Sequence, residues 1–327
     1  VLKDQIMGLI AAGVEAHVMD RPGGIFVRRA EQIADEDRIL LQSVARAIIT
    51  DRRGSLVEQV MRRGPSEVKI PRLVPTRPHR GEALVAKPPS RELILFNGVG
   101  GFTPDGTEYV VTTLPGQATP APWANVLANP HFGTVVSESG LAYTWSENAH
   151  EFRLTPWHND PVSDASGEAY YLRDEESGHV WSPAALPVRG TGVYVTRHGF
   201  GYTVFEHRED GIDSELWVFV ATDAAVKFAV LKVRNVSGRS RRLSATGYVE
   251  WVLGDLRPKT TMHVITEIDP RTGALLARNS YNNEFSDRVA FFDVEDPARS
   301  LTGDRTEFIG RNGTLQNPAA MARSRLS

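Results

Sequence analysis

Residues 215–253, ELWVFVATDAAVKFAVLKVRNVSGRSRRLSATGYVEWVL, decide the fold. Three runs rich in apolar and β-branched residues, Glu215 to Thr222, Val226 to Val236 and Leu243 to Leu253, follow one another with short breaks. Asn235-Val236-Ser237-Gly238-Arg239-Ser240 supplies a turn between the last two. Runs of this kind, bounded by Asn, Ser and Gly, read as β-strands. Leu216 to Val220 is apolar at every position. A strand of that composition is expected to be covered on both faces, so two sheets should pack against each other.

The same pattern extends in both directions. Upstream lie Tyr109 to Thr113, Phe132 to Val136 and Leu141 to Trp145, the last two separated by Ser139-Gly140. Glu168 to Arg173 and His179 to Trp181 flank the turn Asp174-Glu175-Glu176-Ser177-Gly178, and Val193 to Thr196 precedes Tyr202 to Phe205. Downstream, Met262 to Ile268 and Ala274 to Asn279 are joined by Asp269-Pro270-Arg271-Thr272-Gly273, and Arg288 to Val294 adds one more strand. Short strands with a turn signal every ten or so residues predict a mainly β chain built as a large antiparallel β-sandwich. No helical pattern alternates with them, which argues against a parallel α/β sheet.

Before Arg91 the period changes. Leu2, Ile6, Leu9, Ile10 and Val14 share one helix face. A second helix is expected from Asp35-Glu36-Asp37, whose acids suit the positive end of a helix dipole. Its apolar stripe runs through Ile39, Leu40, Val44, Ala47 and Ile48 until Thr50-Asp51-Arg52-Arg53-Gly54. Ser55, with Glu58 three residues on, forms a capping box for a short third helix. The resulting organisation is a helical segment over 1–63, a Pro-rich linker over 64–90 and the β-sandwich domain over 91–327. Both ends read as cuts through a longer polypeptide.

Composition narrows the function. Lys and Arg number 37 against 40 Asp and Glu, a net charge of −3, so no basic field is present to track nucleic acid. The chain holds no cysteine, which removes disulfides, thiolate nucleophiles and Cys-ligated zinc. Its histidines do not fall at metal-ligand spacing, and no cofactor motif stands out. Asn97-Gly98-Val99-Gly100-Gly101-Phe102 is Gly-rich but precedes no helix, which disfavours a phosphate-binding loop. No segment is apolar enough over sufficient length to span a bilayer. The expected compartment is the cytoplasm, with a membrane anchor elsewhere in a larger protein.

Three segments carry the mixture that sugars select, an aromatic platform beside Arg, carboxylate and amide groups. The first is Thr155-Pro156-Trp157-His158-Asn159-Asp160-Pro161, in which Trp157 and Asn159 are the candidates. The second runs from Tyr170 to Pro183 and offers Arg173, Asp174 and Trp181 near a hairpin end. The third, Thr196-Arg197-His198-Gly199-Phe200-Gly201-Tyr202-Thr203, offers Arg197, His198 and Tyr202. Each also reads as ordinary structure: a buried Trp under a polar loop, a solvated turn, and a histidine satisfied within the fold.

These motifs, in their order, resemble a known family. Asn97 to Phe102, Tyr109, Thr119-Pro120-Ala121-Pro122-Trp123-Ala124-Asn125-Val126 and Phe132 to Asn148 resemble the sandwich of cyclic β-1,2-glucan synthases. Tyr171-Leu172-Arg173-Asp174 through Trp181-Ser182-Pro183, and then Arg197 to Thr203, are similar to the pattern shared by cellobiose and chitobiose phosphorylases, glycoside hydrolase family 94. Phe26-Val27-Arg28-Arg29-Ala30 and Pro75-Thr76-Arg77-Pro78-His79-Arg80 look like the glucan synthase stretch that precedes that domain. The resemblance implies a sandwich related to the galactose mutarotase superfamily that precedes a separate helical catalytic barrel. It implies a β-glucan or glucosyl oligosaccharide as ligand, homodimer contacts, and no catalytic residue within this chain. By the same analogy Arg173, Asp174, Trp181, Arg197, His198 and Tyr202 face the substrate. Two other readings are a free-standing carbohydrate-binding module and a mutarotase-like epimerase. The epimerase would need a His and a carboxylate to converge for general acid–base work, with His158, His198, His263 and Glu250 as the available residues.

Overall fold

The structure is a computed structural model that describes residues 2–21, 24–61, 90–158, 167–296 and 298–326. Two compact units divide it, Val1–Thr76 and Arg77–Ser327. The expected Pro-rich linker lies almost wholly outside the described residues.

The first unit is helical. It contains α1 (Leu2–Ala11), α2 (Asp35–Val44) and α3 (Leu56–Met61), with short 3₁₀ turns between them. The capping box forms as expected: the Ser55 backbone N–H donates to Glu58 Oε2 at 2.7 Å, and the Glu58 N–H donates to Ser55 Oγ at 3.3 Å. Helix α2 stops at Val44, short of the end its apolar stripe suggested. The Gln59 side chain binds both the N–H and the C=O of Thr50, which is extended, and a short 3₁₀ turn, Asp51–Arg53, follows it before α3. None of the described residues in 2–61 is buried.

Among its described residues the second unit carries fifteen strands. They are β1 (Gly100–Phe102), β2 (Glu108–Thr113), β3 (Ala124–Ala128), β4 (Phe132–Ser137), β5 (Ala142–Ser146), β6 (Glu168–Asp174), β7 (Val180–Trp181) and β8 (Tyr194–Gly199). Then follow β9 (Tyr202–Glu209), β10 (Ile212–Val220), β11 (Lys227–Asn235), β12 (Leu243–Val249), β13 (Val264–Ile268), β14 (Leu275–Asn279) and β15 (Val289–Phe292). A six-stranded sheet has the order β1-β2-β8-β9-β10-β11, and three smaller sheets have the orders β3-β4-β5, β12-β6-β7 and β13-β14-β15. Each ladder is antiparallel. Two short helices, α4 (Arg257–Thr260) and α5 (Arg305–Ile309), complete the unit.

Alternation along the strands explains the layers. Phe205, Leu216 and Val218 point inward from the six-stranded sheet and pack on Leu127 of β3 and Val136 of β4. Leu172 and Trp181 of the β12-β6-β7 sheet meet Ile212 of β10. The opposite face of β6 presents Ala169 and Tyr171, which pack with Tyr248 on Phe308 and Ile309 of α5. Strand β6 is thus enclosed on both sides, and its burial barely alternates.

Here the structure corrects the reading of β10. Leu216 and Val218 are buried, but Trp217 and Phe219 lie on the outer face and are only half-buried. A run that is apolar at every position cannot reveal which of its faces is covered, because burial and display both use the same residues. The turn after Asn235 also differs from a simple hairpin. It carries the chain out of the six-stranded sheet and into the β12-β6-β7 sheet.

Candidate functional site

The β8–β9 hairpin organises the most chemically equipped surface of the sandwich. Its strands pair through Gly199↔Tyr202, leaving Phe200 and Gly201 as the turn. Gly201 has φ +85°, a left-handed conformation that glycine adopts without steric cost. A Cβ on Gly199 would come within 2.4 Å of the Tyr202 ring, so the ring lies directly over the glycine. Phe200 projects at the tip and is 84% exposed.

This hairpin is clamped from beneath. The Asn125 amide donates to Gly199 O at 2.9 Å, to Tyr202 O at 3.0 Å and to Thr203 Oγ1 at 3.2 Å. His198 Nε2 lies 2.9 Å from Trp123 O, an atom that can only accept, so Nε2 carries the proton. Nδ1 then accepts from Thr203 Oγ1 at 3.0 Å. Burial lowers the His198 pKa, which keeps the ring neutral in this role. The motif residues around 119–126 and 196–203 thus form one bonded assembly.

On the outer face stands an ion-pair cluster. Arg197 of β8 bonds Glu108 of β2 and reaches Glu206 of β9 at 2.7 Å, and Arg91 binds the other oxygen of Glu206 at 2.5 Å. The Tyr202 hydroxyl donates to Glu108 at 2.8 Å. Burial works against the charge on Arg197, but the Glu206 and Glu108 carboxylates outweigh it and raise its pKa. The hydrogen bond to Glu108, followed by burial, raises the pKa of Tyr202. The Arg197 guanidinium sits 5.5 Å from the Trp217 ring centre, and Lys232 Nζ lies 4.9 Å from the same ring. Both are cation–π distances.

The other candidates fall elsewhere. Asp174 is buried and saturated: it accepts from the backbone of Glu176 and Ser177 and from Arg241 at 2.5 Å, a pair with both side chains almost fully enclosed. Burial opposes its ionisation, yet those bonds lower its pKa. Trp181 is 0% exposed and stacks with His179 at 5.4 Å, so it presents no face to a ligand. Arg173 donates to Arg323 O at 2.7 Å and pairs loosely with Glu175. Trp157 packs 4.8 Å from Tyr143, in a group that also contains Trp145. Asn159 lies outside the described residues. Of the seven described candidates, Arg197, His198 and Tyr202 share one hairpin, and Arg197 and Tyr202 join the outer-face cluster. For the epimerase reading, Glu250 is held by Tyr248, Arg257 and Arg305, while His263 stacks on Tyr281 at 4.3 Å. Neither has a bond to His198.

Sequence reasoning missed Arg91, Glu108, Glu206, Trp217 and Asn125. For Glu108 and Glu206 the signal was position, since both sit on the same side of their strands as Arg197, and Asn125 lay inside the Thr119–Val126 motif. It also missed a buried carboxylate centre. Glu209 accepts from His179 at 2.9 Å, His207 at 3.2 Å and the Thr191 N–H at 2.8 Å. Burial opposes ionisation, but these donors hold the Glu209 carboxyl far below the usual carboxylate range. His179, Glu209 and Asp210 bring ligand atoms within 4.8 Å of one another. Glu209 is already engaged with its donors, so a cation there would have to displace them.

A cavity of about 200 Å³ opens between β5, β6, β12 and β15. Phe152, Tyr170, Trp251 and Phe291 line it, and a Glu168–Lys227 pair at 2.5 Å forms part of its wall.

An antiparallel, multi-sheet sandwich whose titratable groups are tied into structural networks, and whose outer sheet face carries aromatic rings among paired charges, defines a supersandwich module. Residues 107–327 match the family model "Glycosyl hydrolase 94, supersandwich domain", and the chain belongs to that family. It is 37% identical to the cyclic β-(1,2)-glucan synthase NdvB of Rhizobium meliloti (strain 1021), over 91% of this chain and 11% of that protein. It is 28% identical to the N,N'-diacetylchitobiose phosphorylase of Vibrio furnissii, over 70% of this chain and 29% of the relative. It is 29% identical to the solabiose phosphorylase of Paenibacillus borealis, over 70% of this chain and 30% of the relative. The chain therefore spans about a tenth of the synthase and under a third of these phosphorylases.

Proposed function

We propose that this chain is the sugar-contacting and assembly module of a cyclic β-1,2-glucan synthase or a related glycoside phosphorylase. In this reading, hexosyl transfer to phosphate or to a growing glucan is carried out by a catalytic domain outside these residues. The supporting observation is the state of the acids and bases. Glu168, Asp174, Glu209 and Glu250 are each buried or half-buried and each is held ionised by fixed partners. A general acid for glycosidic cleavage needs a raised pKa in an open cleft, the opposite condition.

Five of the eight sequence candidates take roles under this proposal. Arg197 and Tyr202 contact sugar, and His198 positions their hairpin. Asp174 and Trp181 hold the fold. The experiment is an assay of the purified chain with β-1,2-glucan and inorganic phosphate, read as glucose 1-phosphate formed. No product above the buffer rate is expected. Sustained turnover by residues 1–327 alone contradicts the proposal.

A further inference from the structure

We propose that the outer face of the β9-β10-β11 ladder is a binding plate for a β-linked glucan chain. The inference rests on the sugar-module reading above and extends it from Arg197 and Tyr202, which lie in a family motif, to Trp217, Phe219 and Phe228, which do not.

The register builds the plate. Phe219 of β10 stands opposite Tyr202 of β9 on one side and Phe228 of β11 on the other. Directly opposite residues share a face, so the three rings form a row across three strands. The Phe219 and Phe228 ring centres are 5.2 Å apart and stacked. Two residues along β10, Trp217 lies 5.5 Å from Tyr202 and stands between Val204 and Val230. At the usual strand spacing the row is about 10 Å wide, and a two-residue step adds about 7 Å. This is a disaccharide-sized area. The surface is open: Phe228 is 43% exposed, and Tyr202, Trp217 and Phe219 are half-buried.

The rim selects the ligand by charge. Arg91 and Arg197 are paired with Glu206 and Glu108, and Lys232 approaches Glu215 at 4.0 Å. Three cations thus face three carboxylates. An anion finds no unpaired positive group among them, and a cation no unpaired carboxylate. A neutral polyol fits, because its hydroxyls can both donate to Glu108 and Glu206 and accept from Arg197 and Lys232. In a β-linked glucosyl residue the ring substituents are equatorial, leaving both ring faces as C–H surfaces. Such faces match flat aromatic side chains, which offer apolar area with few rotamers to freeze. A protein partner would be expected to meet a continuous apolar patch with unpaired charges around it, and this rim is internally neutralised.

The test is isothermal titration of the full chain with linear β-1,2-linked glucan oligosaccharides. Wild type, Trp217→Ala, Phe228→Ala and Arg173→Ala are compared, with melting temperature as the folding control. The expected result is binding by wild type and Arg173→Ala alike, and about tenfold or greater weakening in both plate variants. Phe228 is exposed at an edge strand, so Phe228→Ala remains informative if Trp217→Ala folds poorly. Equal affinity across all four proteins overturns the proposal. So does wild type that fails to bind any of the oligosaccharides, which would leave the absence of catalysis in this chain standing. Concentration-dependent self-association in sedimentation, abolished by Phe228→Ala and indifferent to glucan, also overturns it and identifies the plate as a protein interface.

Discussion

The two faces of the six-stranded sheet use nearly the same amino acids for opposite ends. On the inner face, Phe205 and Leu216 stand opposite each other and are 2% exposed. On the outer face, Tyr202 and Phe219 stand opposite each other and are half-buried. The inner pair meets a second sheet through Leu127 and Val136. The outer pair meets solvent beside a ring of paired charges. The difference teaches that apolar content marks strands, while the neighbours of each residue decide whether it stabilises the fold or displays a surface.

The comparison breaks most clearly in stability measurements. Phe205→Ala leaves a cavity in the inner layer and should cost about 3–5 kcal/mol in urea unfolding. Trp217→Ala, on the outer face of the adjacent strand, should cost less than half as much. Equal losses would mean that the outer face is also core. Next comes the buried Asp174–Arg241 pair, whose Arg241→Ala variant strands a carboxylate and should cost about 3–5 kcal/mol. Arg208→Ala removes a surface partner of Asp213 and should change stability by about 1 kcal/mol or less.

An effect between those two sharpens the site. Gly199→Ala places a methyl against the Tyr202 ring and should cost about 1–3 kcal/mol by overpacking. It should also displace Tyr202 from Glu108, visible as a changed Tyr202 hydroxyl titration. An unchanged titration would show that the ring does not depend on the glycine.

The smallest effect concerns pH. The hydrogen bond to Glu209 raises the His179 pKa against the opposing effect of burial. The folded state therefore keeps a proton that the unfolded state releases. The stabilisation is complete below the ordinary histidine value of 6.5 and is lost as pH rises through the raised folded value. Glu209 acts in the opposite direction: its contribution is complete above the ordinary carboxylate value of 4.5 and declines as pH falls toward its depressed folded value. Melting temperature should therefore decline on the alkaline side as pH rises above 6.5, and His179→Gln should flatten that limb. A limb unchanged in His179→Gln would remove the assignment.

Much of the fold was legible in the sequence, and the reasons are local. The strands from Tyr109 to Val294 announce themselves by β-branched runs and by turns such as Asp269 to Gly273. The Ser55–Glu58 box is a four-residue signal and forms as read. Strand β1 escaped because it is three residues long and Gly-rich, and β3 because Ala124 to Ala128 lacks a β-branched alternation. The helices of the first unit were readable from period, yet period does not say what their apolar faces touch. Leu40 of α2 is 61% exposed.

The site was less legible. Arg197, His198 and Tyr202 fall on one hairpin because they are close in sequence. Glu108 and Glu206 complete the cluster only through strand register, which pairs Glu108 with Gly199 and Val195 with Glu206. Trp181 and Asp174 looked exposed beside a turn, but the β6-β7 strands sink both beneath the surface. Sequence spacing records which residues share a turn and is silent on which side of a sheet that turn is covered.

The most direct test joins the two faces in one experiment, the urea unfolding midpoint with and without saturating β-1,2-linked glucan oligosaccharide. A ligand that binds only the folded chain raises the midpoint according to its affinity. The account predicts a rise in wild type that persists in a mildly destabilised inner-face variant, Val218→Ala, and vanishes in Trp217→Ala. A rise of the same size in Trp217→Ala, or none in wild type, would contradict it.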